Sequence, residues 1–174
     1  MLARPKAKIR PSSQKLKGAL FSILGDGINE ASFLELYAGS GAVGIEALSR
    51  GADRVYFVEE NRSCLKTITD NLKRLNIPYT YGPVYSLPRP EKGPTVRIFP
   101  AKAEQALRRL AQTGAGFDFI FLDPPYAQNS LKNCLIKVSQ YDILNPRCLV
   151  IAEHNQRAGL GNSIGGLSLR LERH

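Results

Sequence analysis

The chain has 174 residues, 43% hydrophobic and 22% charged, with 24 Lys and Arg against 15 Asp and Glu and a formal charge of +9. That length gives one domain whose core needs no disulfide or metal staple, and the cationic surplus favours a polyanionic partner, nucleic acid first. No apolar run reaches the roughly 18 residues of a membrane-spanning helix, the basic start lacks the apolar stretch of a secretory signal, and Cys64, Cys134 and Cys148 form neither a CxxC pair nor a Cys/His cluster, which fits a reducing cytosol without zinc or disulfides.

The elements alternate along the chain. Residues 12–25 read as an amphipathic helix, with Leu16, Ala19, Leu20, Ile23 and Leu24 at helical spacing, Ser12 or Ser13 as N-cap and Gly25 as stop. Residues 32–37 (SFLELY) read as a strand, 38–44 as a glycine-rich turn and 42–50 as a helix ended by Gly51. A strand at 54–59 (RVYFVE) precedes a helix at 62–75 whose apolar face is Leu65, Ile68, Leu72 and Leu75. The segment 78–94 carries Pro78, Pro83, Pro88, Pro90 and Pro94 and reads as an inert surface loop. A short strand at 95–99 and a helix at 103–113 follow. Residues 117–122 (FDFIFL) read as a strand buried on both faces, 130–139 as a helix and 148–153 as a last strand. Residues 159–166 are glycine-rich with no helix after them, so they read as a loop. Such alternation predicts an α/β fold with a mostly parallel central sheet and helices on both faces. Ligands of such sheets sit beyond the carboxyl ends of the strands.

Two motifs fall on that edge. Gly39, Gly41 and Gly44 form GxGxxG between strand and helix, and Glu59 ends the next strand, placed to accept hydrogen bonds from both hydroxyls of a ribose. This much fits a nicotinamide oxidoreductase or an adenosyl-cofactor enzyme. Glu35, four residues before Gly39, separates them. A carboxylate there repels a pyrophosphate but attracts the sulfonium and ammonium of S-adenosylmethionine. Pattern E-x-x-x-G-x-G resembles the first motif of class I S-adenosylmethionine-dependent methyltransferases. Asp123-Pro124-Pro125-Tyr126, directly after the apolar strand, resembles the (Asn/Asp)-Pro-Pro-aromatic motif of methyltransferases that act on planar nitrogens. An exocyclic amino group is a poor nucleophile because its lone pair is delocalised. The Asp123 carboxylate and the Pro124 carbonyl hold its N–H groups and aim the lone pair. Pro125 biases Pro124 to an extended conformation, and Tyr126 offers a stacking face.

Together with Arg10-Pro11-Ser12-Ser13 and the helix after it, these motifs resemble the bacterial RsmD-type family, which methylates a guanine N2 in 16S ribosomal RNA. The likeness runs from about residue 10 to 153. It implies a Rossmann-like class I methyltransferase fold, with residues 1–25 a basic arm and helix of the same domain. Residues 26–174 would then be the methyltransferase domain, carrying the proline-rich insert 78–94. It implies S-adenosyl-L-methionine as cofactor, held by Glu35, Tyr37, Ala38, Gly39, Ser40, Gly41 and Gly44 at the methionine part. Glu59 would take the ribose, Glu60, Asn61, Lys102 and Ala103 the region of the adenine. Asp123, Pro124 and Tyr126 would hold the guanine, Asp123 also bordering the cofactor. Arg4, Lys6, Lys8, Arg10, Ser12, Lys15 and Lys17 would face ribosomal RNA or a small-subunit particle. Six of these are the cations of the first 18 residues, which hold no acid and leave only +3 to the rest of the chain. Gln14, Gly18 and Lys102 depart from the family pattern. The protein is expected to be a cytoplasmic monomer without metal or membrane contact. The runner-up reactions are transfer to adenine N6 or to a protein glutamine; more remote are the oxidoreductase and a non-catalytic RNA-binding protein. His154, His174, Arg108 and Arg109 are given no role in the chemistry.

Overall fold

Strands that lie between two helical layers have no solvent face to reserve for polar residues, so they are apolar along their length. The computed structural model describes residues 14–83, 93–125, 130–153 and 161–170. Strand β1 (Ser32–Leu36) is buried at every position, and β2 (Arg54–Glu59), β4 (Thr95–Pro100) and β5 (Phe117–Leu122) at nearly all of theirs. With β3 (Thr80–Tyr81) and β6 (Leu144–Ala152) they form one sheet in the order β3-β4-β2-β1-β5-β6, with every described pairing parallel.

Side chains alternate between its faces. Phe33, Val55, Phe57, Ile98 and Phe119 meet α1 (Gln14–Leu24), α2 (Ala42–Ser49) and α3 (Arg62–Arg74). Leu34, Leu36, Val58, Phe99 and Leu122 meet α4 (Ala103–Gln112) and α5 (Ser130–Gln140). Helix α1 docks by Leu20, Phe21 and Leu24; Phe21 stacks on Phe33 at 6.5 Å between centroids and lies under the Arg50 guanidinium at 4.8 Å. A short 3-10 turn, Gly25–Ile28, leads from α1 to β1.

The chain runs from β1 to β2, out to the edge strand β3 and back to β4 between them, then crosses to β5 on the other side of β1. The crevice of an open α/β sheet lies at such a reversal, outside the strands' carboxyl ends. Register puts Leu36 opposite both Val58 and Leu122, so the segments after β1, β2 and β5 leave the sheet at one level.

Three elements differ from the sequence expectations. The proline-rich segment is not wholly a loop: Thr80 and Tyr81 pair with Arg97 and Ile98 as an edge strand, between Pro78 and Pro83, neither of which falls within the ladder. Residues 84–92 lie outside the described residues. Strand β6 starts at Leu144, not at 148. A bulge lets Phe117 pair with Leu144 and Phe119 with Leu149. Pro146 and Arg147, the latter at φ 67°, hide that start from a search for apolar runs. Within the bulge, the Asp118 carboxylate accepts from Asn145 Nδ2 and from the Ser32 amide, both at 2.8 Å, tying β6 and β1 to β5. Finally, β7 (Ser163–Ile164), within the expected loop, pairs with β8 (Leu167–Ser168), just past it, as a small hairpin too short for a periodic signal. Among the described residues no helix is long and apolar enough to cross a membrane.

Gly18 is exposed in α1, and a Cβ built there meets nothing within 4 Å. Gly18→Ala is therefore expected to stabilise the protein by about 1 kcal/mol through backbone entropy, raising the thermal midpoint by ~2–4 °C. Calorimetry of the two proteins measures this.

Candidate active site

The glycine turn is organised by one buried carboxylate. Glu35 lies in the central strand on the α2 side and is 3% exposed. Its Oε2 accepts from the Gly44 amide at 2.8 Å, and the Val43 amide also binds the carboxyl. Helix α2 begins after Gly41 with no capping side chain of its own, so Glu35 takes over amides that helical geometry leaves free. Burial raises the Glu35 carboxyl to about 8; the two amides and Lys17 pull it down, and Glu59 pushes it further up. Gly44 is required by this contact. A Cβ there would stand 2.5 Å from the Phe57 ring and 2.8 Å from Glu35 Oε2. Gly41, at φ 72°, closes the turn by donating to the Ala38 carbonyl at 2.7 Å.

The rim of the turn is held by two residues. Glu59 Oε2 accepts from the Gly39 amide at 2.8 Å, while Oε1 accepts from the amides of Glu60 at 2.9 Å and Asn61 at 2.8 Å. A carboxylate has about four acceptor positions, so one, on Oε2, remains. Sequence reading offered both oxygens to a ribose; in the fold three amides share them. Asn71, wholly buried on α3, donates from Nδ2 to the Ser40 carbonyl at 3.0 Å. Sequence reading missed it, although a polar residue beside Ile68 and Leu72 on an apolar helix face was the available signal.

Other expected residues have different local roles. The Asn61 side-chain oxygen accepts from the amides of Ser63 at 2.9 Å and Cys64 at 3.3 Å, so it caps α3. Tyr37 stands at φ 58°, a left-handed conformation that costs a non-glycine residue about 1–3 kcal/mol. Its ring packs into the α5 side of the core and its hydroxyl is hydrogen-bonded with Cys134, so its backbone, not its phenol, borders the turn. Lys102 is exposed and precedes α4, whose first residue, Ala103, is buried. Ser40 is partly buried and Glu60 exposed at the same edge.

Asp123 follows β5 directly, across the β1–β5 crevice from Glu35. It is partly buried, Pro124 is buried and Pro125 exposed. Burial first, then the neighbouring Glu153 charge, raise the Asp123 carboxyl to about 6. Tyr126 lies outside the described residues, as do Arg4, Lys6, Lys8, Arg10, Ser12 and the side chain of Lys15. Lys17 is described, and its position departs from the expected outward face. It is 8% exposed, one turn before Leu20 and Phe21 on the buried side of α1, and its charge acts on Glu35. Helical periodicity decides this: residues 17, 20, 21 and 24 share one face.

This donor set fits S-adenosyl-L-methionine. The Val43 and Gly44 amides near the start of α2 are already taken by Glu35, so these two are not free for the pyrophosphate of a dinucleotide. A carboxylate that burial keeps protonated becomes an anion readily only where a cation faces it. Fold and edge together define a class I, Rossmann-like methyltransferase dependent on S-adenosyl-L-methionine.

Residues 1–174 match the family described as "Conserved hypothetical protein 95". A Bacillus subtilis (strain 168) protein, "Putative rRNA methyltransferase YlbH", is 34% identical over 158 residues, covering 91% of this chain and 78% of its own. "Ribosomal RNA small subunit methyltransferase D" of Escherichia coli K12 is 27% identical over 165 residues, with 95% and 74% covered. A solved "conserved hypothetical protein" from Streptococcus pyogenes superposes with a TM-score of 0.73 at 28% identity, over 91% of this chain and 88% of that one. The chain belongs to the conserved hypothetical protein 95 family, the RsmD family of ribosomal RNA methyltransferases.

Two outcomes follow from the turn. Glu35 has a folded value above its unfolded one, so its contribution to stability is fully present below about pH 4.5 and is lost as pH rises toward 8. Glu35→Gln keeps an acceptor without a charge. Without cofactor, the variant's thermal midpoint should match wild type at pH 4.5 and exceed it increasingly toward pH 8, by ~2–4 °C per kcal/mol; its affinity for S-adenosylmethionine should fall by about 10- to 100-fold for loss of a charged hydrogen bond. Gly44→Ala should destabilise by about 1–3 kcal/mol through overpacking against Phe57 and abolish cofactor binding in titration calorimetry.

Proposed function

We propose that this methyltransferase transfers the methyl group of S-adenosyl-L-methionine to the exocyclic N2 of a guanine in bacterial 16S ribosomal RNA. The observation that carries this is Asp123-Pro124-Pro125 leaving β5 across the sheet's crevice from the glycine turn and Glu35. The names of the relatives, which are rRNA and small-subunit methyltransferases, agree with it.

When bound, the cofactor supplies a methyl group already activated on a sulfonium. The chain's residues bind and orient. Glu35, ionised, faces the ammonium end of the methionine part, and the turn from Tyr37 to Gly41 lies along it through backbone. Glu59 Oε2 takes one ribose hydroxyl, and the Glu60 to Asn61 and Lys102 to Ala103 segments border the adenine. Asp123 and the Pro124 carbonyl accept the N2 hydrogens, holding the nitrogen lone pair toward the methyl carbon, so catalysis is chiefly positioning. Tyr126 stacks on the base. Removing the guanine from its helix exposes N2 for this contact. The cations Arg4, Lys6, Lys8, Arg10 and Lys15, with Ser12, contact phosphates, and their salt-dependent attraction supplies RNA affinity. The protein works as a monomer in the cytoplasm, with no metal in the reaction.

Tritiated methyl transfer to small ribosomal subunits lacking the modification, followed by nucleoside identification, tests this reading; N2-methylguanosine is the expected product, and methyladenosine or no transfer sinks it. Asp123→Ala should lower turnover by at least about 100-fold, the loss of an oriented group, with RNA binding largely preserved. In wild type the ionised Asp123 is needed, so turnover should fall about tenfold per pH unit below about 6.

A further inference from the structure

A second carboxylate stands beside Asp123. Strand β6 runs parallel to β5 with Ala152 opposite Leu122, so Asp123 and Glu153 step off neighbouring strands side by side. Neighbouring strands lie about 4.8 Å apart. The Glu153 amide donates to the Leu122 carbonyl at 3.0 Å, which fixes its backbone at the sheet edge. Glu153 is partly buried, with its Oε2 packed against protein atoms and without a hydrogen-bond partner among the described residues. An unsatisfied buried carboxylate oxygen is costly and rarely idle. The Glu153 charge also acts on Asp123, so the two groups share one electrostatic environment.

We infer that Glu153 is a substrate-reading carboxylate: its carboxylate, partly exposed at the sheet edge, accepts the N1–H of the guanine whose N2 Asp123 holds. This rests on the reaction proposed above. Guanine presents two adjacent donors on its pairing edge, N1–H and the N2 amino group. Adenine and cytosine each present an amino donor beside a ring nitrogen that is an acceptor. Two carboxylates in a row therefore match guanine, and for either other base the second one faces a lone pair. Sites built to hydrogen-bond one donor pattern discriminate strongly against ligands that lack it. Asp123 alone satisfies any exocyclic amino group; Glu153 adds the part of the pattern that belongs to guanine.

The test uses the full chain and small ribosomal subunits from a strain lacking the modification. Wild type, Glu153→Leu and Glu153→Gln are compared in kcat, KM for subunits, cofactor affinity, thermal midpoint and product nucleoside. Glu153→Leu should lower kcat by at least about tenfold, the scale of a lost charged hydrogen bond, with KM, cofactor affinity and thermal midpoint close to wild type. Glu153→Gln, isosteric and still able to offer an amide oxygen, should recover part of that loss. The inference is overturned if both variants keep kcat within threefold of wild type. It is equally overturned if kcat falls only in step with thermal midpoint and cofactor affinity, the signature of a structural role. A wild-type product other than N2-methylguanosine would defeat the proposed reaction itself, and this inference with it; the wild-type arm alone tells that failure from the other two.

Discussion

A carboxylate in the middle of a parallel sheet must be answered by something, and in this protein the answer shapes the whole cofactor edge. Glu35 sits in β1 between two layers of helices, where desolvation opposes its charge. The amides of Val43 and Gly44 bind it, and in doing so they set where α2 starts. The turn between them has to be tight, which requires Gly41 in a left-handed conformation and no side chain at Gly44. Phe57, packed against Gly44, couples that turn to β2, whose last residue, Glu59, fastens Gly39 from the other side. One buried acid thus sets the helix start, the glycine pattern and the sheet packing together.

The charge distribution follows the same division. The chain is strongly cationic, yet its carboxyl edge carries Glu35, Glu59, Glu60, Asp123 and Glu153. Acids there suit a cofactor bearing sulfonium and ammonium and a base presenting N–H donors. The cationic surplus is concentrated in the first 18 residues. Lys17 is the exception, drawn under α1 toward Glu35. Its place illustrates that a cation at a core-facing helical position serves the interior when an acid is buried opposite.

Much of this was legible in the residues. The alternation of SFLEL, RVYFVE and FDFIFL with amphipathic helices predicted the parallel sheet, because strands covered on both faces cannot hide their apolar runs. The site was legible where its chemistry needs particular residue types: an acid before GxGxxG, an acid ending β2, and Asp-Pro-Pro after β5. Less legible were residues whose role depends on neighbours distant in sequence. Nothing local marks Asn71 as the clasp of Ser40, or Glu153 as the neighbour of Asp123, since each pair meets only through the sheet. The start of β6 was hidden because Asn145 pairs with Asp118 in a bulge instead of continuing an alternation.

Sequence by itself determined the class of fold and the family, and it named the carboxyl edge as the candidate site, since periodicity and short motifs are local properties of the chain. Tertiary structure alone decided how the carboxylates divide their work. Glu59 was left with one open acceptor because three amides converge on it. Asn61 was spent on a helix cap, the Tyr37 phenol was turned to Cys134, Lys17 was taken inward and Glu153 was set beside Asp123. Desolvation and hydrogen-bond saturation depend on what packing brings within reach, and the order of residues does not carry that information.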